Sequence, residues 1–286
     1  ADTIFAGDTA ESLSCAGYTK STSQFGRGIR NLDLAQPLVV KDTVVEVTTS
    51  TDAAFGENGA GWGASDYNVA AGGLITPAFV AAGALAANAT IVTLAVVAPA
   101  TVAANAIMIC AILLKSNQVC SAPDGTWTRF VAVNNTAAQR LEIWWKRAAG
   151  TEGGATFNFT KPIDDNLLFC GAISTWSGCV TTGSPIDATT PSTSANASSD
   201  TVTYADFDPT ESTAFVVAIG VYNNDLTTAG AISGTDPTFT SRWDLETSTG
   251  TDGSIFGASG ASTGAATGSR TQSTTSTADD INIGCL

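Results

Sequence analysis

Cysteine, tryptophan and paired acidic residues are the side chains of this sequence that could do chemistry, since it contains no histidine. The absence of histidine excludes Ser-His-Asp and Cys-His catalysis and the usual zinc sites. Catalysis by carboxylates or by lysine stays open, but no pattern in the sequence supports it. We therefore predict a protein that is not an enzyme, with no catalytic residues, no metal site and no cofactor.

The six cysteines form no Cys-x-x-Cys pair, which makes a metal site or a thioredoxin-like motif a weak interpretation. Their even number allows a disulfide framework. Cys110 and Cys170 lie inside apolar runs, where a buried thiol that packs as a small apolar side chain is an equally good interpretation. The other four lie in loops or near the ends of the sequence and are the disulfide candidates: Cys15, Cys120, Cys179 and Cys285.

Cys120 and Cys179 each follow a predicted buried strand, at 107–115 and 167–176. If these strands are parallel neighbours, the loops that follow them meet at one end of the sheet. A Cys120–Cys179 disulfide is then the preferred pair within one chain, whereas Cys15 and Cys285 suit disulfides between subunits. A disulfide that closes a long loop contributes about 2–4 kcal/mol.

Trp144 and Trp145 are adjacent in a predicted strand, so they face opposite sides of its sheet. We expect both to be covered within the domain, and a sugar-stacking platform is the alternative. Trp62 and Trp243 lie in polar, Gly- or Asp-flanked settings. They are candidates for interface anchors, because buried aromatic side chains dominate contact energies.

Several closely spaced acidic residues supply oxygen atoms that could bind Ca²⁺, but none has the spacing of a known calcium loop. Solvated carboxylates in turns are the favoured interpretation. A glycosidase needs two carboxylates at a set separation across a cleft, and the sequence singles out no such pair. The acidic groups are Asp164-Asp165, Asp206 with Asp208, Asn224-Asp225 and Asp279-Asp280.

The strands that would position these residues are short and regularly spaced. Hydrophobic residues make up 44% of the 286 residues and charged residues only 13%, which provides ample material for a core. Apolar runs at 107–115, 167–176 and 213–222 predict fully covered central strands. Shorter strands separated by Gly, Pro, Asn and Asp turns, without a convincing amphipathic helix, predict an all-β fold. The expected architecture is a two-sheet β-sandwich or jelly roll.

The chain is predicted to comprise three parts. Residues 1–37 contain few apolar residues and no sustained period, so they cannot form a core of their own. We predict an extended N-terminal arm there, with a solvated tail as the alternative. Residues 38–87 form a strand and a long Gly- and Ala-rich connection. Residues 88–286 form the β-sandwich domain, in which residues 279–286 add a closing strand.

The charge balance narrows the possible partners. Lys and Arg total 12 against 26 Asp and Glu, a net charge of -14. Phosphate binding needs clustered cations, so nucleic acid is not an expected partner. No apolar stretch predicts a membrane span. Four cations fall in or just after the arm, which makes it the expected contact with an acidic neighbour: Lys20, Arg27, Arg30 and Lys41.

Three motifs resemble a β-sandwich domain found in bacteriophage structural proteins and in some bacterial surface proteins. The sequence PDGTWTRF contains Trp127, and RLEIWWKRA contains Trp145-Lys146-Arg147-Ala148. The third, ISTWSGCVTTGSPIDATTP, contains Trp176-Ser177-Gly178-Cys179-Val180 and Ser184-Pro185-Ile186-Asp187. The resemblance covers about residues 88–286, and Cys179 departs from the pattern. The resemblance does not extend to residues 1–87.

The resemblance implies a structural role. We expect a virion protein of a tailed phage, of the capsid decoration or fibre type, on the outer surface of the particle. Its expected partners are the major capsid protein or neighbouring copies of itself in a homo-oligomer. The alternative is a carbohydrate-binding adhesin module on a virion or cell surface, with a glycan as ligand.

Overall fold

The described part of the chain consists of β-strands. All of it belongs to the unit that spans Ile75–Leu286. The computed structural model describes residues 77–136, 139–186, 193–196, 201–209, 214–224, 229–262, 266–274 and 282–286. Sixteen strands lie in these ranges, and no helix does. The strands are Ala78–Ala82 (β1), Ala86–Asn88 (β2), Thr93–Val97 (β3), Ile107–Leu114 (β4), Thr128–Asn135 (β5), Gln139–Arg147 (β6), Thr156–Thr160 (β7), Phe169–Ser177 (β8), Thr193–Asn196 (β9), Thr201–Tyr204 (β10), Phe215–Tyr222 (β11), Ala229–Ile232 (β12), Thr240–Thr247 (β13), Gly253–Ala261 (β14), Arg270–Thr274 (β15) and Asn282–Cys285 (β16).

A six-stranded antiparallel sheet contains two of the three apolar runs. Its strand order is β1-β8-β4-β6-β5, and β2 pairs with the other end of β8. The apolar strands β4 and β8 are therefore neighbours in its interior. Successive side chains of a strand point to opposite faces. Since β4 and β8 are apolar on both faces, this sheet needs cover on both sides.

The two-stranded sheet β3-β7 covers one face. Its alternate residues Leu94, Val96 and Phe159 are buried against Met108 and Ile112 of β4, in a cluster that we call the first core. The outward residues of β3 and β7 are exposed, except for the partly buried Thr160. This alternation of exposed and buried residues is the pattern expected of a sheet with one face exposed to solvent.

A five-stranded sheet covers the other face. Its order is β13-β14-β11-β16-β9, with the third apolar run, β11, in the middle. Ile219 and Ile255 from this sheet and Leu113 and Cys170 from the six-stranded sheet share a cluster that we call the middle core. Even-numbered residues of β11 such as Tyr222 point the other way, into a third core under the three-stranded sheet β10-β15-β12.

The described strands thus form four layers around three cores. Strands β1–β8 make the first two layers and the first core, and β9–β16 make the other two layers and the third core. The all-β prediction is confirmed. The two larger sheets form the expected sandwich, and the two smaller sheets cover its outer faces.

The predicted central strands are confirmed, since β4, β8 and β11 each lie in the interior of a sheet. The expected closing strand is also present as β16, between β11 and β9. Residues 78–87 belong to the predicted Gly- and Ala-rich connection. They instead form β1 and most of β2, whose small, Ala-rich sequences give no clear strand signal. The predicted arm at 1–37 lies outside the described residues, and so does the strand predicted at the start of the 38–87 part.

Candidate functional site

The candidate site among the described residues is a cluster of charged, polar and aromatic side chains on the β5–β6 hairpin. Arg140, Glu142 and Trp144 alternate along β6 and so share one face, the face that turns toward the first core. The hairpin register places Arg129 opposite Trp144 and Asn134 opposite Arg140. We call these five residues the β5–β6 polar cluster.

Glu142 is the centre of the cluster. It is fully buried, at 0% exposure. Its Oε1 accepts hydrogen bonds from Nε of Arg140 at 2.5 Å and from the amide N–H of Cys120 at 3.1 Å. Its Oε2 lies 3.7 Å from Nη1 of Arg129 and has no hydrogen-bond partner among the described residues. The carboxylate is thus held between two guanidinium groups, with one oxygen left to accept a further bond.

Trp144 forms the apolar wall of the cluster. The guanidinium of Arg129 lies over its ring, 5.5 Å from the ring centroid, an attractive cation–π contact. Trp127 and Trp144 both contact Phe159, with ring centroids 5.4 and 6.2 Å away. Neither indole N–H has a partner in the described part of the chain. Buried polar groups are normally paired, so these two donors, like Oε2 of Glu142 and the side-chain amide of Gln139, are exceptions among the described residues.

The arrangement suits binding rather than acid–base chemistry. Glu142 has one unpaired acceptor oxygen and Trp144 an unpaired indole N–H, both buried, and Arg129 adds a partly exposed cation. As defined, the cluster contains a single carboxylate, whereas glycoside hydrolysis needs two at a set separation. Arg129 and Glu142 were not among the site residues predicted from the sequence. The available signal was an acidic residue in the middle of the apolar strand sequence LEIWW.

Four thiols of the described residues have raised pKa values. Burial, and then the charge of Glu142, raise the pKa of Cys120 to about 12. Burial raises the pKa of Cys170 to about 12 as well and raises that of Cys110 well above its usual value. The pKa of the half-buried Cys179 is raised by burial too. Because the thiolate is the reactive form, none of these four is an activated nucleophile.

The predicted Cys120–Cys179 disulfide is wrong. Both residues are free thiols. The two strands that precede them, β4 and β8, are neighbours as expected but run antiparallel, with Leu114 opposite Phe169 and Ile107 opposite Trp176. Their following loops therefore lie at opposite ends of the sheet. Cys15 and the side chain of Cys285 lie outside the described residues, so disulfides between subunits stay a prediction.

The predicted tryptophan sites occupy different environments. Trp144 is only 8% exposed and Trp243 only 7%, so neither presents a free ring. Trp145 faces the opposite side of the sheet, as predicted, and packs half-buried against the middle core. Trp243 stacks on Phe79, with centroids 5.8 Å apart. Trp62 lies outside the described residues.

Three further acidic groups are held by internal hydrogen bonds. The carboxylate of Glu152 accepts the backbone N–H groups of 149, 150 and 151, within 3.0 Å of each. Burial opposes its charge, but these bonds and Lys146 outweigh it and lower the pKa of Glu152. Asp165 accepts a 2.5 Å bond from Nζ of Lys161, and Asp206 lies 3.5 Å from Oγ1 of Thr267. Asp225, Asp279 and Asp280 lie outside the described residues.

Two of the motifs that carry the phage-protein resemblance meet in space. Arg147, at the end of β6, donates one hydrogen bond to the carbonyl oxygen of Val180 and another, of 3.1 Å, to that of Gly183. This fixes the loop 178–186 against the end of β6. The 180–184 part of the loop is exposed, so the contact holds an accessible loop on a rigid sheet.

Within the described ranges, no group of three or more His, Cys, Asp or Glu residues could hold a metal ion. No helix of that part of the chain is long and apolar enough to cross a membrane. The chain matches no known protein family, no curated protein and no solved structure.

Proposed function

We propose that this chain is a structural protein of a tailed-phage virion, of the capsid decoration or fibre type. It acts by binding the major capsid protein or neighbouring copies on the outer surface of the particle. The observation that supports this most is the contact between Arg147 and the loop 178–186, because it joins two of the resembling motifs. A rigid sheet that presents an exposed loop is an arrangement suited to docking.

The use of the ionisable side chains also supports a binding role. Glu142, Glu152 and Asp165 are each engaged by cations or backbone N–H groups of the same chain. Groups that are held in this way stabilise the stack of sheets. A protein whose buried charges stabilise its own fold is suited to reinforcing a shell.

Co-sedimentation with capsids of the phage that carries this chain's gene tests the proposal. The full chain is compared with a chain that lacks residues 1–37, with free protein as the sedimentation control. We expect the full chain to sediment with the capsids and the shortened chain to stay largely in the supernatant. Equal binding of the two would contradict the role of the arm, and no binding of the full chain would contradict the decoration role.

A second function, glycan binding by an adhesin module, is favoured by the β5–β6 polar cluster. An arginine, a carboxylate and an indole on one face are groups that recognise sugar hydroxyls. The burial of Trp144 and Trp243 counts against flat stacking of a sugar on those rings. A glycan array probed with the wild-type chain and with Arg129→Ala, Trp144→Ala and Trp145→Ala separates the functions. Specific binding that is lost in Arg129→Ala and kept in Trp145→Ala, whose ring packs against the middle core on the other face, would favour the adhesin.

A further inference from the structure

Strand β16 is added between two strands that precede it in the chain. It pairs antiparallel with β11 on one side, from Ile219–Cys285 to Tyr222–Asn282. On the other side it pairs antiparallel with β9, from Asn282–Asn196 to Cys285–Thr193. In the described sheet β9 pairs with β16 alone. Without β16, the sheet would contain a groove between β9 and β11 that is one strand wide.

The groove has a defined sequence requirement. Ile283 is fully buried in the middle core, and Leu286 is 8% exposed in the third core. Gly284 lies directly against β10, where a Cβ atom would be 2.3 Å from the carbonyl oxygen of Thr203 and 2.8 Å from Val202. The groove therefore accepts a strand with glycine at one position, preceded by an isoleucine and followed two residues later by a leucine.

We propose that β16 exchanges between copies of this chain, so that the groove between β9 and β11 of one copy binds β16 of a second copy. Strand β16 follows β15 through the seven residues 275–281, which span at most roughly 25 Å when extended. The contacts made in the groove are the same whichever copy supplies the strand. The closed and exchanged forms then differ mainly in linker geometry and association entropy. Protein concentration therefore sets the balance between them.

This proposal deepens the structural role proposed above by assigning a partner, a second copy, and the surface that it uses. Only the biological purpose of the strand exchange rests on that proposed role. The test below measures linkage between chains and not binding to capsids. Failure of strand exchange and failure of the virion role are therefore separate results.

Cysteine trapping in the full chain tests the exchange. Thr193 is the register partner of Cys285, so Thr193→Cys places a second cysteine opposite the native one. Directly opposite residues of an antiparallel pair have Cα separations that a disulfide can bridge. The protein is incubated over a wide range of concentrations, oxidised and separated by non-reducing electrophoresis. Thr193→Cys combined with Cys285→Ser is the matched control, because it keeps the new cysteine and removes the pair.

We expect linked dimers and larger species whose fraction rises with protein concentration, which reductant converts to monomers and which the control lacks. A link that forms only within single chains at every concentration would overturn the proposal, because β16 would then stay in its own sheet. The absence of any pair-dependent link would also overturn it, because the register that defines the groove would be wrong.

Discussion

At the scale of single residues, Glu142 shows how a buried charge is tolerated in this fold. Removing a carboxylate from water costs several kcal/mol, and a nearby cation offsets this cost only with good geometry. Arg140 supplies that geometry, since its side chain is only 9% exposed and its Nε lies 2.5 Å from the carboxylate. Arg129 is 38% exposed and 3.7 Å away, so solvent screens its interaction.

We therefore predict that the two arginines contribute unequally to stability. Arg140→Ala leaves Glu142 buried without its main partner and should lower the free energy of unfolding by about 3–5 kcal/mol. Arg129→Ala, the matched control, should lower it by about 1 kcal/mol or less. Urea unfolding followed by tryptophan fluorescence measures both. Similar losses for the two variants would show that Arg140 is not the main partner.

Glu152 is a second residue whose charge is used structurally. Its carboxylate accepts three successive backbone N–H groups, and Lys146 lies 3.4 Å away. These interactions lower its pKa against the effect of burial. A lowered pKa in the folded state means that the stabilisation is fully present above the ordinary Glu pKa. It is lost as the pH falls through the lowered value.

We predict that Glu152→Gln is destabilised by about 1–3 kcal/mol at neutral pH, because charged hydrogen bonds are lost. The difference from the wild type should begin to shrink as the pH falls below about 4.5, where the carboxylate of the unfolded chain takes up a proton, and should be lost below the lowered pKa of the folded state. Unfolding free energies measured between about pH 7 and pH 3 test this. Glu246→Gln is the control, because Glu246 is exposed. A difference that stays constant with pH would contradict the assignment.

At the scale of elements, β-bulges mark the outer strands of the larger sheets. The registers of β1 and β5, the two edges of the six-stranded sheet, shift at Val80 and Phe130. The register of β13, one edge of the five-stranded sheet, shifts at Arg242. A bulge twists an edge strand and spoils its pairing with another chain. These three edges are thus poor sites for sheet extension.

We predict that deletion of Val80, which would make the β1 register regular, increases self-association of the protein. Phe79 and Ala81 already pair with consecutive residues of β8, so the deletion preserves both contacts. Val80→Ala is the control, because it keeps the bulge and reduces exposed apolar surface. Sedimentation velocity at several concentrations measures the effect. An unchanged monomer fraction after the deletion would show that the bulge does not protect this edge.

At the scale of the whole molecule, the middle core joins the two halves of the described stack. Its members come mainly from β4, β5, β6 and β8 on one side and from β11, β13, β14 and β16 on the other. Polar contacts add to it, since Nζ of Lys115 donates a 2.5 Å hydrogen bond to the carbonyl oxygen of Asn223. In this shared core, each half covers apolar side chains of the other half. We therefore expect the described strands to unfold together.

We predict that Ile255→Ala, in the middle core, lowers the free energy of unfolding by about 2–5 kcal/mol while a single transition is kept. Ile163→Ala is the control, because Ile163 is 61% exposed and its loss should stay within about 0.5 kcal/mol. Calorimetry and hydrogen exchange of β3 and β15, which lie in different halves, measure the coupling. Two separate transitions would contradict it.

The sequence by itself determined the strand content and the centre of the fold. The runs that became β4, β8 and β11 are apolar on both faces, and a strand of this kind is stable only inside a sheet that is covered twice. Local turn residues and alternation located most of the other strands. Strands β1, β2, β9 and β12 escaped prediction, because their short Ala-, Ser-, Thr- and Gly-rich sequences gain their pairing from longer neighbours.

The tertiary structure alone decided strand direction, layering and the polar cluster. Whether β4 and β8 run parallel or antiparallel depends on how the chain between them returns, and the antiparallel return separates Cys120 from Cys179. The register of β5 with β6 brings Arg129 to Trp144 across a hairpin turn. The place of β16 between β9 and β11 depends on pairing with strands far away in sequence. Such contacts are set by the packing of the whole chain, and local sequence patterns do not reveal them.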